Sequence, residues 1–300
     1  MKTIAKQSNR KAAFTIVELL TVMSIIVILI GLLVPALNRV RIYAKTVRQN
    51  AQFHSIEAAI ELFNNEFEGY PESSALDPLL PAPEPYCGAM KLCEAMMGWD
   101  LLGFHSNSIF DRNGEDATGS RLYLVADLSA RKGPFLPPES ADAFRMEDVY
   151  SRGVAAAAGF LDASLVLCDV YTRKLTSGKK AGMPILYFRA NTRARYHEPA
   201  RLGAGPIDPT ENIYNYWDNR MLVQLGQPDV PAPANVHKFE DPLENPPDRF
   251  YKNTENFEIT SATGLARPFR ADSYILMSAG YDGDYGTADD IYNFEWKYRK

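Results

Sequence analysis

The sequence predicts an α+β chain in which one long N-terminal α-helix, transmembrane in its first half and amphipathic in its second, packs on a C-terminal antiparallel β-sheet with large loop insertions. Three observations carry that expectation. Residues Leu19 to Leu37, LLTVMSIIVILIGLLVPAL, run without a charge. The next thirty residues keep apolar side chains at three- and four-residue steps. Beyond Tyr70, runs rich in aromatic and β-branched residues alternate with Pro- and Gly-rich turns.

Composition bounds the function. With 300 residues, 46% apolar and 23% charged, the chain reads as folded and not as disordered. Its net charge of −5 is uneven, because Lys2, Lys6, Arg10 and Lys11 lie in a leader that holds no acid. Such a basic end facing an apolar run sets membrane topology. The remainder, with 28 basic against 37 acidic residues, makes nucleic acid an unexpected partner.

The organisation then follows in order: a basic leader (1–13), a transmembrane helix (14–37), an amphipathic continuation (38–68) and an extracytoplasmic α+β domain (69–300). About 20 apolar residues span the hydrocarbon core as helix. An ordinary cleaved export signal fits less well, since its apolar stretch is usually about 7–15 residues and this one carries Glu18. Pro35 removes a backbone hydrogen bond and its ring crowds the carbonyl of Gly31, which predicts a kink or local melting over Gly31 to Pro35. Past the apolar run, Val40, Ala44, Val47, Ala51, Ala58, Leu62 and Phe63, with Ile56 and Phe67 nearby, form one stripe and Arg39, Arg41, Lys45, Arg48, Glu57, Glu61 and Glu66 the other. Helix is expected to about Glu66. There FNNEFEGYP (63–71) stops it, with Gly69 suited to a left-handed terminal position and Pro71 unable to continue.

In the domain, LDPLLPAPEPY (76–86) reads as an extended linker. Strands are expected at 121–128, 183–191, 273–280 and 290–296, a short helix within 145–168 and a proline-studded loop at 227–250. The aromatic stretch NIYNYWDNR (212–220) reads as core. Of the three cysteines, Cys87 and Cys93 are near enough to pair in an oxidising compartment, whereas Cys168 sits in an apolar run that favours a buried thiol. No phosphate-cradling loop, HExxH or GxSxG is present, and His54, His105, His197 and His237 lack metal-ligand spacing. A structural protein, not an enzyme, is expected.

Two acidic loops remain. SAGYDGDYGTADDIYNF (278–294) brings Asp282, Asp284, Asp289 and Asp290 into one Gly-rich turn, and such converging hard oxygens suit Ca2+. FDRNGEDATG (110–119), with Asp111, Asn113, Glu115 and Asp116, reads as a solvated turn.

The leader followed by Ala13 and FTIVELL resembles the class III signal of type IV pilins and type II secretion pseudopilins. The resemblance implies cleavage by a prepilin peptidase between Ala13 and Phe14, N-methylation of Phe14, and pairing of its amine with Glu18 of a neighbouring subunit. Ala13 departs from the glycine usual at that point. The Gly69-Tyr70-Pro71 exit resembles that of major pseudopilins, and the 278–294 loop resembles their calcium loop. By that likeness Asp282, Asp284 and either Asp289 or Asp290 supply the calcium's side-chain ligands, with a loop carbonyl and Ser278 to complete the shell. Implied with these are the type IV pilin fold, a filament of like and unlike subunits, an inner-membrane assembly platform, a periplasmic ectodomain with a cytoplasmic N-terminus, and a role in protein export. Without the resemblance, Glu18 simply favours a helix N-terminus through the macrodipole. The chain is then a membrane-anchored extracytoplasmic binding or enzymatic module whose N-terminus is only a signal anchor.

Overall fold

A computed structural model describes residues 15–75, 85–150, 153–175, 178–197, 212–228, 230, 234–244 and 248–296. The chain divides into two units, residues 1–44 and 45–300. Helix α1 (Ile16–Phe67) is 52 residues long and unbroken, with Pro35 inside it. The expected melting at Gly31 to Pro35 is not seen, because proline deletes one hydrogen bond while the neighbouring bonds of the ladder keep the turn helical. Glu68, at φ +54°, takes the left-handed terminal position one residue before the expected Gly69.

Beyond α1 come α2 (Gly88–Met97), β1 (Phe104–His105), β2 (Arg131–Lys132), α3 (Pro138–Ala141), β3 (Ala143–Arg145), α4 (Met146–Val149), α5 (Val154–Ala157), β4 (Leu165–Leu167), β5 (Arg173–Lys174), β6 (Lys180–Ala181) and β7 (Leu186–Arg189). Then follow α6 (Trp217–Val223), α7 (Asp248–Thr254), α8 (Phe257–Thr263), β8 (Tyr274–Ser278) and β9 (Ile291–Tyr292). The strands form small antiparallel sheets: β1 with β2, β3 with β4, β5 with β6, and the three-stranded β7-β8-β9. The architecture is therefore α+β, a long apolar N-terminal helix with small antiparallel sheets.

The β7-β8 register explains how the second unit is filled. Leu186 faces Met277, Tyr187 faces Leu276 and Phe188 faces Ile275. Directly opposed residues share a sheet face. Accordingly, Tyr187, Tyr274 and Leu276 join Phe53, Ile56, Ile60 and Phe63 of α1 in one cluster. Leu186, Phe188, Ile275 and Met277 join Tyr214, Tyr216, Phe239 and Phe250 in another. The aromatic stretch at 212–220 supplies core, as its composition indicates. Helix α2 contributes to both clusters and buries all ten of its residues, and its ten-residue, mostly apolar run is too short for periodicity to mark it as a helix.

Three other expectations change. The buried face of α1 is Gln49, Gln52, Phe53, Ile56, Ala59, Ile60 and Phe63, so the expected stripe is rotated, leaving Val47 and Leu62 more than half exposed. Two glutamines enter the core because they complete the backbone of a distant loop: Gln49 Oε1 accepts the Val170 amide (3.0 Å) and Gln52 Nε2 donates to the Cys168 carbonyl (2.9 Å). The segment 121–128 is not a strand. Arg121 makes one isolated bridge to Glu115, and Val125–Ala130 forms a 3-10 turn with Val125 82% exposed, having no partner strand among the described residues to cover it. The final strand shrinks to Ile291–Tyr292.

Candidate assembly helix and acidic loop

The first candidate element begins at Thr15. Thr15 Oγ1 accepts the Glu18 amide (3.2 Å), and a Glu18 carboxylate oxygen accepts both the Thr15 amide (2.9 Å) and the Thr15 hydroxyl (2.8 Å). This reciprocal arrangement is a capping box, in which a hydroxyl and an acid three residues apart satisfy backbone donors that the first helical turn leaves unpaired. Thr15 was the missed partner, although Thr-x-x-Glu before an apolar run is a legible sequence signature. The geometry gives Glu18 a role at the helix start, and Ala13 and Phe14, with the leader, lie outside the described residues.

After the cap, every large apolar side chain from Ile16 to Leu37 is 43–78% exposed within the unit. Among the described residues α1 is the one helix long and apolar enough to cross a membrane. Within 45–300, the side of α1 that carries Val47, Ala51, Ala58 and Leu62 is also exposed. Glu57 fixes the buried side against the sheet through Arg270 (2.9 Å) and the Asn293 amide group (3.1 Å).

The second candidate is the acidic loop between β8 and β9. Asp282 Oδ1 accepts the Asp284 amide (2.8 Å), and Asp289 Oδ2 accepts the Asp282 amide (2.9 Å). The Thr287 hydroxyl donates to Asp289 Oδ1 (2.7 Å), and Asp290 Oδ2 accepts the Gly286 amide (2.9 Å). Asp284 Oδ1 turns away to the Lys238 amide (2.8 Å) and lies 3.2 Å from His237 Nδ1. Ser278 Oγ donates to Asp169 (2.8 Å), a buried carboxylate that also accepts the amides of Tyr171 and Met183. The four predicted aspartates thus share one loop and each gives an oxygen to a backbone amide, while Ser278, at the end of β8, faces Asp169. Arg173 braces the loop by donating to the Asp282 carbonyl (2.8 Å). Asp169 and His237 escaped the sequence reading because each lies more than forty residues from the loop.

The loop's electrostatics follow from burial and crowding. Burial, with Asp289 adding to it, pushes Asp282 up to about 6. Burial also works on Asp289, but hydrogen bonds from Thr287 and the Asp282 amide outweigh it and hold that carboxyl low. Burial drives Asp290 well above the ordinary range, reinforced by the charges of Asp282, Asp289 and Asp284. Asp290 Oδ1 is buried without a hydrogen-bond partner among the described residues. The donors are hard oxygens of the kind calcium takes. Among the described residues, though, no group of three or more His, Cys, Asp or Glu side chains is arranged to hold a metal ion.

Cys87 and Cys93 are not paired; both are free and buried. They sit at the start and in the middle of α2, six residues apart, so the helical rotation carries them to different sides, Cys87 into one core cluster and Cys93 into the other. Cys168 is buried, as its apolar run predicts. No family model, no curated protein and no solved structure matches the chain.

Proposed function

We propose that the chain is a structural subunit of a type IV pilin-like filament, most closely in the manner of a type II secretion pseudopilin that supports protein export. The observation that carries this reading is α1 itself. An apolar helical stretch with all its large side chains outward needs lipid or other helices around it, and the same helix continues into a folded domain. The exposed Val47, Ala51, Ala58 and Leu62 extend apolar surface along that continuation, as contact between neighbouring subunits requires. In this reading a prepilin peptidase cleaves between Ala13 and Phe14, and the charged Phe14 amine of an incoming subunit replaces Thr15 as the partner of a neighbour's Glu18. The subunit waits in the inner membrane with its domain in the periplasm, and the assembly platform extracts it into the filament.

Two variants separate assembly from capping. Glu18→Gln keeps a side chain able to complete a capping box but removes the charge. The expected result is a normally inserted protein that no longer enters filaments, with its melting temperature unchanged. If Glu18→Gln assembles as well as the parent, the ion-pair role is wrong and the anchored-module reading gains. The mass of the N-terminal peptide from native membranes tests processing directly: an N-methylated Phe14 is expected, and an intact Met1 defeats the proposal.

Calcium belongs to the same reading. In it, Asp282, Asp289 and Asp290, with loop carbonyls and water, exchange their amide hydrogen bonds for a cation that relieves their mutual repulsion. Full-length protein in detergent should then melt higher with calcium than with chelator, since a ligand at about 100 times its Kd adds ~2.7 kcal/mol. Identical melting temperatures exclude the ion.

A further inference from the structure

The 110–119 segment does more than turn the chain. Asp111 Oδ1 accepts the amides of Asn113 (2.8 Å) and Glu115 (3.1 Å), and Asp116 Oδ1 accepts those of Thr118 (2.8 Å) and Ser120 (3.0 Å). The Leu122 amide closes the loop on the Gly114 carbonyl (2.9 Å). Asp111 and Asp116 thereby each give one oxygen to bracing a wall of turns. That wall bounds a cleft of about 480 Å³ lined by Trp99, Asn113, Gly114, Arg121, Tyr123 and Asp162, within the ~300–1,000 Å³ of small-molecule sites.

Two aromatic rings meet at Gly114. Its φ is +71°, and a Cβ there would lie 2.8 Å from the Tyr123 ring and 3.6 Å from Trp99 Cγ. Both rings are fixed by their polar ends: Trp99 Nε1 donates to the Arg112 carbonyl (3.2 Å), and the Tyr123 hydroxyl donates to buried Glu94 (2.7 Å). The Arg131 guanidinium lies 5.1 Å from the Tyr123 ring centre. With their donors used internally, the rings offer the cleft carbon surface. Around that surface stand Asn113 and Arg121, both exposed, and Asp162, whose Oδ1 is buried with no hydrogen-bond partner among the described residues.

We propose that this cleft binds a pyranose ring of a glycan. A sugar ring presents a C–H face that packs on aromatic carbon, and a rim of hydroxyls that both donate and accept. The cleft supplies the matching set: an acceptor in Asp162, a donor in Arg121 and both in Asn113. The opposed charges of Arg121 and Asp162 cancel, which suits a neutral sugar better than a phosphate or carboxylate ligand. Because the wall is already fixed, little ordering is needed on binding. The proposal does not rest on the filament reading.

Full-length protein in a zwitterionic detergent without a sugar headgroup tests it by calorimetric titration with cellotetraose, chitotetraose and maltotetraose. Saturable binding of at least one is expected. Ala163→Trp, at an exposed position lining the cleft, should weaken it at least tenfold without changing the melting temperature, and Asp162→Asn should weaken it severalfold. Retention on insoluble cellulose or chitin identifies a polymer as the source; binding of the tetrasaccharide without retention identifies a free oligosaccharide. No binding to any of the three sugars, or equal binding by Ala163→Trp, overturns the proposal.

Discussion

The start of α1 and the whole of α2 are both apolar helices that carry acid, and they satisfy their side chains in opposite ways. From Ile16 to Leu37 the large side chains of α1 are 43–78% exposed, whereas Leu92, Cys93, Ala95, Met96 and Met97 of α2 are fully buried. Apolarity records a preference for leaving water. It does not say whether lipid, another subunit or the protein's own core will take water's place. The acids differ in the same sense. Glu18 is satisfied within its own first turn by Thr15, but Glu94 takes hydroxyls from Tyr86 (2.6 Å), Ser108 (2.6 Å) and Tyr123 (2.7 Å), donors that only the tertiary fold brings together.

The sharpest break in that comparison is a pair of truncations. Leu92→Ala should cost about 2–5 kcal/mol, because it opens a cavity in packed core. Leu29→Ala, at a position 60% exposed, should change stability by about 0.5 kcal/mol or less in detergent. Thermal melts of the two variants check both, and equal losses would mean that the first half of α1 is packed within the monomer after all.

A smaller effect follows at the acids. Glu94→Gln preserves volume but replaces one acceptor oxygen with a donor group facing hydroxyls, so a loss of about 1–3 kcal/mol is expected. Glu18→Gln, which retains its cap, should leave the melt unchanged. A stable Glu94→Gln protein would show that the three hydroxyls find other acceptors.

The pH dependence is the smallest and the most specific. Burial raises Asp169 to about 7 and Asp218 to about 8, from an ordinary 3.8. A raised carboxyl holds its proton in the folded state where the unfolded chain has lost it, so stability is full below about pH 4 and falls as pH rises toward 7 for Asp169 and 8 for Asp218. These two carboxyls should therefore contribute a decline in melting temperature over that window, set against the rise up to about pH 6.5 that burial of His197, lowered to about 3, contributes, and Asp169→Asn should remove the part of the decline that ends near 7. An unchanged profile in that variant would show that Asp169 does not titrate there.

Much of the helix was legible in sequence. Its extent, its apolar first half and its stop near Phe67 follow from periodicity and from the Gly-Tyr-Pro exit, and β7 and β8 follow from continuous apolar runs. Less of the sites was legible. Thr15 and Glu18 are a local pair with a known spacing, but Asp284 answers to His237 and Lys238, and Ser278 to Asp169, across chain separations no motif spans. The strand expected at 121–128 failed because β propensity describes a surface to be covered, and no strand among the described residues lies beside that segment.

By itself the sequence determined those features that arise within a few residues: where a helix starts and ends, which stretch avoids water, and where acids crowd a turn. The tertiary structure decided which side of α1 is buried, since Gln52 reaches a carbonyl 116 residues away. It also placed α2 at the centre of the core and turned Asp284 toward Lys238 and His237, more than forty residues away. The physical reason is range. Backbone propensity and periodicity act over one or two turns of chain, while burial and hydrogen-bond partnership depend on neighbours that only folding assembles.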